Sequence, residues 1–261
     1  MSQSENWWNE FFDTFRPFFG VVDAKTTRAE ARYLIKKLKL GPRKSFLDLA
    51  CGIGRLSIPV ARSGARVTGV DIMSSFLEEL DRKARRGKLR IETIQSDMRR
   101  INFRNHFDSA ANMWTSFGYF ERESDNQLVL RKVYQSLKPG GRFLLHTINR
   151  DWVIKNFART GWFSVGATKV LEERSFDFST SISRSVWTFI RDGEEKSHRV
   201  AIRMYSLHEL IAMLEKAGFR EIEGFGSLKD EPVSSHSRMM YIFGRKQKTD
   251  GKSRKPVSFR G

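Results

Sequence analysis

The chain has 261 residues, a length that allows one sizeable core, and a formal net charge of +17. Its single cysteine, Cys51, excludes an intramolecular disulfide framework and a cysteine-rich zinc site. The first six residues lack the basic and apolar regions of a secretory signal, and no run approaches the roughly 18 apolar residues of a membrane span. These features predict a cytoplasmic protein without a membrane span.

Aromatic residues recur every three or four positions near the N terminus and predict an amphipathic helix with one aromatic face. They are Trp7, Trp8, Phe11, Phe12, Phe15, Phe18 and Phe19. Ser2 and Glu5 have the spacing of a capping box, and Pro17 marks where a regular helix should end. A second helix is predicted at about 27–40, so residues 1–40 are interpreted as an N-terminal helical cap.

The most informative stretch is residues 47–54, which read LDLACGIG and precede a second apolar strand that ends at Asp71. The first apolar run lacks the alternation of a surface strand and suits the middle of a parallel sheet. Gly52 and Gly54 allow a sharp turn and a close approach of the backbone to a ligand. Asp71 stands about where a carboxylate accepts hydrogen bonds from a ribose diol.

This turn differs from the dinucleotide-binding fingerprint at two residues. Ser57 stands where that fingerprint has a third glycine or alanine. Asp48 lies two residues before the turn, where it would repel a pyrophosphate but attract a cationic amino-acid group. Asp-x-Ala-Cys-Gly-x-Gly followed by Asp71 resembles the first two motifs of the class I S-adenosylmethionine-dependent methyltransferases. A Rossmann-like turn that binds another nucleotide is the alternative.

Strands and helices alternate through residues 41–150, which we interpret as the S-adenosylmethionine-binding core. The predicted core strands are 46–49, 66–70, 90–95, 107–113 and 141–147. The predicted core helices are 55–63, 74–86 and 125–137. This order predicts an α/β fold with a doubly wound, mostly parallel, Rossmann-like sheet.

The pattern changes over residues 151–205, where we predict an antiparallel insertion that forms a lid over the substrate. Apolar and polar residues alternate from 168 to 205, with a turn at Asp192-Gly193, and indicate about three strands. Such a lid after the fifth strand resembles the glycine and amino-sugar N-methyltransferases. A helix closed by Gly218 and a final hairpin, together 206–245, should complete a seven-stranded sheet.

The resemblance implies that S-adenosyl-L-methionine is the cofactor and S-adenosyl-L-homocysteine the product. In this family a carboxylate at the position of Asp97 hydrogen-bonds the adenine amino group, and the following side chain packs on the ring. A surface aspartate that starts a turn is the other interpretation of Asp97. The turn at 137–141 also resembles the family's turn into its fifth strand. The cofactor-binding residues implied by the resemblance are Asp48, Ala50, Gly52, Gly54, Asp71, Ile72, Asp97, Met98 and Met113.

Residues 112–120 follow the fourth strand, where the transferred methyl group should lie. They lack the Asn/Asp-Pro-Pro-Tyr motif of base and amide methylators, and no carboxylate cluster indicates magnesium, so no metal site is expected. An aromatic wall here favours exclusion of water from a sulfonium, although core packing is the alternative for Phe117 and Phe120. The predicted acceptor-binding residues are Trp114, Tyr119, Arg203, Tyr205 and Arg238. The candidate bases are His146, which is equally suited to the core, and Tyr119.

These patterns predict methyl transfer to a small-molecule nitrogen or oxygen acceptor, and the two arginines would suit an anionic one. The net charge leaves two alternatives open: an RNA methyltransferase that uses the basic surface, and a non-catalytic S-adenosylmethionine-binding interaction protein. The basic surface would then bind a nucleic acid or another acidic partner. Residues 246–261 are basic, poor in apolar side chains and predicted to be disordered. The aromatic helix is predicted to cover the cofactor cleft, because its acidic residues suit anionic lipid poorly.

Overall fold

The computed structural model describes residues 7–16 and 22–248, apart from the side chains of Trp7 and Asn9. The helices are α1 (Trp7–Phe15), α2 (Ala24–Leu38), α3 (Ser57–Arg62), α4 (Ser74–Arg86), α5 (Glu123–Ser136), α6 (Arg150–Lys155) and α7 (Leu207–Ala217). The predicted capping box at Ser2 and Glu5, and the predicted helix end at Pro17, lie outside the described residues. Within those residues, no helix is both long and apolar enough to span a bilayer.

Seven strands form the central sheet, sheet A, in the order β10-β11-β5-β4-β1-β2-β3. They are β1 (Ser45–Leu49), β2 (Arg66–Asp71), β3 (Ile91–Gln95), β4 (Phe107–Asn112), β5 (Leu137–Ile148), β10 (Arg220–Phe225) and β11 (Met239–Arg245). The first five are parallel, and the hairpin of β10 and β11 adds antiparallel strands beside β5. The predicted doubly wound, mostly parallel sheet is therefore confirmed.

The centre of sheet A explains where a site can form. β1 pairs with β2 on one side and with β4 on the other. The chain adds β2 and β3 on the first side of β1 and then β4 and β5 on the second side, so the strand order reverses at β1. In such sheets the crevice at the carboxyl ends of the strands, next to this reversal, is the usual ligand site. Every residue of β1 is buried, and Asp48 is the charged one among them.

Two core predictions differ from the structure. The helix predicted from Arg55 begins at Ser57 and has six residues, because the turn around Gly54 continues to Leu56. The predicted turn at 137–141 lies inside β5, which starts directly after α5.

The start of β5 is an irregular strand rather than a free turn. Phe107 of β4 pairs with Leu137, whereas Ser109, only two residues later, pairs with Arg142. The extra residues of β5 bulge out of the ladder, and Gly140 takes a φ of +80° within them. Glycine and proline in the sequence therefore marked a bulge, which has the same residue preferences as a turn.

A second sheet, sheet B, follows α6 and is antiparallel in the order β6-β7-β8-β9. Its strands are β6 (Thr160–Val165), β7 (Thr168–Asp177), β8 (Ile182–Arg191) and β9 (Glu194–Arg203). The sequence predicted about three strands from residue 168, so β6 and the short α6 were missed. The predicted turn is confirmed: Asp192 and Gly193 have φ values of +52° and +82°, as in the two-residue turns of hairpins.

Helix α7 begins and ends where the sequence predicts. Ser206 and Glu209 form a capping box at the start of α7, and Gly218 ends the helix with a φ of +109°. Disorder was predicted from residue 246 onward, but Lys246 still contacts the core, because its Nζ donates to the Leu137 carbonyl at 2.7 Å. The remainder of the predicted disordered tail, residues 249–261, lies outside the described residues.

Candidate functional site

A cavity of about 1050 Å³ lies at the carboxyl ends of the central strands of sheet A. Its floor comes from the ends of β1 and β2 and from the segment after β4. Its cover comes from α1 and from the inner face of sheet B. The volume lies just above the usual range for small-ligand pockets, about 300–1,000 Å³.

The glycine turn forms part of the cavity floor. Ala50, Gly52 and Gly54 all have positive φ, so the chain bends sharply directly after β1. A Cβ atom at Gly52 would meet no atom of the described residues within 4 Å, so this position opens into the cavity, whereas a Cβ atom at Gly54 would clash with Leu80 of α4. The two glycines therefore have different roles: Gly52 keeps the backbone open to a ligand, and Gly54 lets α4 pack closely.

Asp71 ends β2 at the edge of this turn. Its two carboxylate oxygens accept hydrogen bonds from the Gly52 amide at 2.8 Å and the Met73 amide at 3.0 Å. Burial raises the pKa of Asp71, and these two amides oppose that shift by stabilising the charged form. Because each oxygen has a second lone pair, the oriented carboxylate can still accept a pair of hydroxyl donors.

Asp48 lies deeper, at the second-last position of β1, and is 3% exposed. Ser57 donates a short hydrogen bond of 2.5 Å from its hydroxyl to Asp48 Oδ2. Burial raises the pKa of Asp48 to about 6, and the Ser57 hydrogen bond and the positive charge of Arg55 limit the rise. Ser57, which distinguished this turn from the dinucleotide fingerprint, therefore supports a buried carboxylate that a cationic ligand would stabilise.

Asp97 and Met98 also line the cavity. However, the Asp97 carboxylate already accepts from the Arg99 backbone amide at 2.8 Å and from Arg99 Nη2 at 2.6 Å. Arg99 is itself held by Asp125 at 3.1 Å and lies over the Phe120 ring. The hydrogen bond from the adenine amino group to Asp97 stays a prediction. It requires one oxygen of the Asp97 carboxylate to accept from adenine in addition to Arg99, or in place of it.

The predicted acceptor residues separate into two groups. Trp114, Tyr119 and Arg238 line the cavity, but Arg203 and Tyr205 are not in its wall. Arg203 forms an ion pair with Glu209 at 2.8 Å and lies over the Tyr205 ring, and the Tyr205 hydroxyl donates to the Glu123 carboxylate at 3.0 Å. These two residues therefore tie the end of sheet B to α5 and α7, outside the cavity wall.

The pKa shifts of His146 and Tyr119, the two candidate bases, make both poorly suited to remove a proton at neutral pH. His146 is 2% exposed, accepts from the Trp114 amide through Nδ1, and stacks on Tyr241. Its Nε2 atom then carries the proton, and it has no hydrogen-bond partner among the described residues. Burial lowers the pKa of His146 to about 3 and raises the pKa of Tyr119, so the imidazole is neutral and the phenol protonated at neutral pH.

Sequence analysis did not single out Glu30 and Arg55, which fix the turn after β4. Glu30 is buried on α2, pairs with Arg55 at 2.6 Å and accepts from the Trp114 indole at 3.0 Å. Arg55 lies over the Trp114 ring, and both Trp114 and Thr115 have positive φ. Two consecutive left-handed residues cost free energy and persist only where their surroundings hold them, which is typical of functional segments. The signal in the sequence was a glutamate on the apolar face of a helix.

Helix α1 lies between the core and sheet B. Phe11 packs edge-on against Trp187 of β8, and Phe12 contacts Phe76 of α4 and Tyr119. Arg16 pairs with Glu79 of α4 at 2.9 Å. The helix therefore forms one wall of the cavity and joins it to α4.

Comparison with known proteins agrees with this geometry. Residues 46–141 match the family described as methyltransferase domain. A putative methyltransferase of Geobacillus sp. (strain WCH70) is 27% identical, covering 82% of this chain and 90% of its own. The glycine/sarcosine N-methyltransferase of Parasynechococcus marenigrum (strain WH8102) is 26% identical, covering 86% of this chain and 80% of its own. A solved S-adenosylmethionine-dependent methyltransferase of Clostridium acetobutylicum ATCC 824 shares the fold at a TM-score of 0.77, with 18% identity over 93% of this chain and 100% of its own.

Residues 46–141 therefore form a methyltransferase domain, and the relatives and the shared fold support the class I S-adenosylmethionine-dependent methyltransferase superfamily, with S-adenosylmethionine as the cofactor. The cavity floor fits this cofactor in two respects. Gly52 leaves open the space that any larger side chain would fill. The carboxylates of Asp48 and Asp71 suit a ligand that carries an ammonium group, a sulfonium and a ribose diol.

Asp48 should make the stability of the unliganded protein depend on pH. Its pKa in the folded state, about 6, lies above the ordinary value of 3.8, so the folded state binds this proton more tightly than the unfolded chain. The free energy of unfolding should therefore fall as the pH rises from about 4 to about 6, by up to about 3 kcal/mol from this group, and then level off.

Asp48→Asn should remove that part of the pH dependence and be more stable than the wild type at neutral pH, while binding S-adenosylmethionine more weakly. Urea unfolding and calorimetry at two pH values measure both effects. Glu78→Gln, at an exposed position of α4, is the control. An Asp48→Asn variant with the wild-type pH slope would contradict the assignment of this proton to Asp48.

Removing residues 1–20 should weaken S-adenosylmethionine binding by about tenfold, about 1.4 kcal/mol, and speed its dissociation. The reason is that α1 supplies part of the cavity wall and excludes water from it. Calorimetry and stopped-flow exchange measure the change, and Phe178→Ala, at an exposed aromatic in the turn between β7 and β8, is the control. If truncation leaves affinity intact and only abolishes binding to liposomes, α1 does not serve as a cover.

Proposed function

We propose that this protein transfers a methyl group from S-adenosylmethionine to a nitrogen or oxygen of a small molecule. The observation that carries this proposal is the shape of the cavity. One covered space contains both the strand-end carboxylates and the inner face of sheet B. An acceptor held in it would lie beside the cofactor and away from bulk water.

The cofactor would be held by the floor of the cavity. Asp71 would accept from the ribose hydroxyls, and Asp48 would balance the positive charge of the amino-acid part. The open backbone at Gly52 would let the cofactor approach the turn, with Asp97 and Met98 on the adenine side. The remaining predicted cofactor residues lie at or beside the same floor: Ala50, Gly54, Ile72 and Met113.

When bound, S-adenosylmethionine supplies an electrophilic methyl group on a sulfonium. The chain then has to hold the acceptor in line and exclude water, which supply most of the rate in such a displacement. The aromatic cover from α1 and the Trp114 turn perform these tasks. Since His146 is buried and neutral, we assign it to holding the Trp114 turn, and the protonated Tyr119 hydroxyl is suited to donate a hydrogen bond to the acceptor.

Several observations favour a small acceptor over RNA. Sheet B and α1 cover the cavity, so a folded polyanion could not lie across its floor. Asp48 and Asp71 place negative charge at that floor, where phosphates would be repelled. The similar glycine/sarcosine N-methyltransferase carries a small acceptor in its name, which supports the same class here.

Release of S-adenosylhomocysteine tests the proposal. The protein is incubated with S-adenosylmethionine and either a panel of small amines, phenols and alcohols or total RNA, with Asp71→Ala as the inactive control. Product that depends on one of the small molecules supports the proposal. Product with RNA alone supports the alternative of an RNA methyltransferase. Binding of S-adenosylmethionine without product from the small molecules or from RNA supports a non-catalytic binding protein.

Deleting residues 249–261 separates the small-molecule and RNA readings by a second measurement. Because the deletion removes basic residues far along the chain from the cavity floor, methylation of a small acceptor should be unchanged at any salt concentration. With RNA as acceptor, the deletion should weaken binding and lower the slope of log affinity against log salt by up to about one unit per lost phosphate contact. A steep, tail-dependent slope would contradict the small-acceptor proposal.

A further inference from the structure

The inner face of sheet B carries an ion pair within the cavity wall. Glu172, in the middle of β7, is 6% exposed and pairs with Arg174, two residues further along the same face. Both side chains line the cavity. Among the described residues, they are the charged side chains that sheet B contributes to this wall.

The neighbours of the pair leave room for it. Glu172 lies opposite Gly161 of β6 and Trp187 of β8, and Arg174 lies opposite Ser185. A Cβ atom at Gly161 would lie 2.9 Å from Arg174 Nη1, so the absence of a side chain there creates the space for the guanidinium. Glycine in a strand interior weakens the strand, so its presence here is explained by this close approach.

The surrounding wall is apolar and much larger than the ion pair. Rings and branched aliphatic side chains from α1 and sheet B make up this part of the cavity: Phe11, Phe15, Phe163, Val165, Trp187, Val200 and Ile202. Burying the charge of Glu172 and partly burying that of Arg174 in such a wall has a desolvation cost, and well-packed apolar residues are often as stabilising as an ion pair there. The pair is therefore better explained by recognition of a ligand than by stability of the sheet.

We propose that the Glu172–Arg174 pair binds an uncharged hydroxyl group of a predominantly apolar acceptor. This inference rests on the proposed function, since it assigns the acceptor class of the same cavity. The pair offers a carboxylate oxygen as acceptor and guanidinium N–H groups as donors, and a hydroxyl both donates and accepts. Because the pair has no net charge, an ammonium or a carboxylate placed beside it would add a buried charge without compensation.

The apolar wall sets the remainder of the acceptor. A ring with an alkyl chain would cover the aromatic and aliphatic side chains, and each buried CH₂ group contributes about 0.8 kcal/mol. A molecule as small and polar as free glycine would leave that wall unfilled and would add two charges to it. The geometry therefore selects phenols or alcohols with an apolar body over free amino acids.

Binding of four probes to the protein loaded with S-adenosylhomocysteine tests this inference. The probes are 4-hexylphenol, 4-hexylbenzylamine, 4-hexylbenzoate and glycine, which differ in charge and apolar area. Calorimetry of the wild type should show 4-hexylphenol binding at least about tenfold more tightly than either charged relative, and no measurable binding of glycine. Equal or tighter binding of a charged probe or of glycine overturns the inference, whatever the variants show.

Two variants should change the ranking in opposite directions. Glu172→Gln leaves the positive charge of Arg174 alone and should raise the relative affinity for 4-hexylbenzoate by about tenfold, whereas Arg174→Gln should do so for 4-hexylbenzylamine. Glu173→Gln, on the exposed face of β7, is the matched control and should keep the wild-type ranking. Unchanged ranking in both variants, with S-adenosylhomocysteine binding retained, would contradict the role of the pair.

The probe experiment and the proposed function can fail separately. Binding is measured with the product cofactor, so it requires no methyl transfer. If 4-hexylphenol binds as expected but no methylated product forms with any acceptor, the acceptor class holds and the proposed activity fails. If product forms only with charged acceptors, the activity holds and the inference about Glu172 and Arg174 is wrong.

Discussion

Gly52→Val should abolish measurable binding of S-adenosylmethionine while the protein stays folded. The side chain would project from the floor into the space that the cofactor requires, because none of the residues that the structure describes lies within 4 Å of the Cβ position. Backbone strain adds to this, since Gly52 has a φ of +53° and a left-handed conformation costs an L-residue about 1–2 kcal/mol. Calorimetry measures the binding, and urea unfolding measures the strain.

Gly166→Val is the matched control for strain. Gly166 joins β6 to β7 and has a φ of +56°. Within the described part of the chain it also has no atom within 4 Å of its Cβ position, but it does not line the cavity. It should lose about the same stability as Gly52→Val and keep full cofactor affinity. Equal loss of affinity in both variants would show that strain, and not blockage, explains the effect.

Asp71→Ala should reduce the affinity for S-adenosylmethionine by at least about a hundredfold. Two hydroxyl donors would lose a charged acceptor, and each such hydrogen bond contributes roughly 1.5–3 kcal/mol. The Gly52 and Met73 amides also lose the acceptor that orients them. Calorimetry against Glu78→Ala, an exposed carboxylate of α4, checks the effect, and unchanged affinity for Asp71→Ala would contradict the assignment of the ribose site.

The core and the cofactor turn could be predicted because they follow from local rules. Buried strands that alternate with helices allow few topologies, and the positions of Gly52, Asp48 and Asp71 along the chain fix their places at the strand ends. Gly54 was predicted, like Gly52, to let the backbone approach the cofactor, and the structure shows that its missing side chain also accommodates Leu80 of α4.

The part of the cavity wall formed by α1 and sheet B could not be predicted to the same depth, because its side chains come from segments far apart in sequence. Position at a strand end does not show which way a side chain faces, so Arg203 and Tyr205 were placed in the site although they join sheet B to the helices. Glu172 and Arg174, in contrast, line the cavity but were not predicted to do so. Charged residues in an alternating strand usually indicate its solvent face, and here they lie on the covered face.

A crystal structure with S-adenosylhomocysteine bound tests the cofactor site most directly. We expect the ribose hydroxyls within hydrogen-bonding distance of the Asp71 carboxylate and the amino-acid part beside the glycine turn and Asp48. The ligand should lie beneath α1, on the floor of the cavity. A ligand bound outside this cavity, or inside it without contact to Asp71, would contradict the assignment of the site.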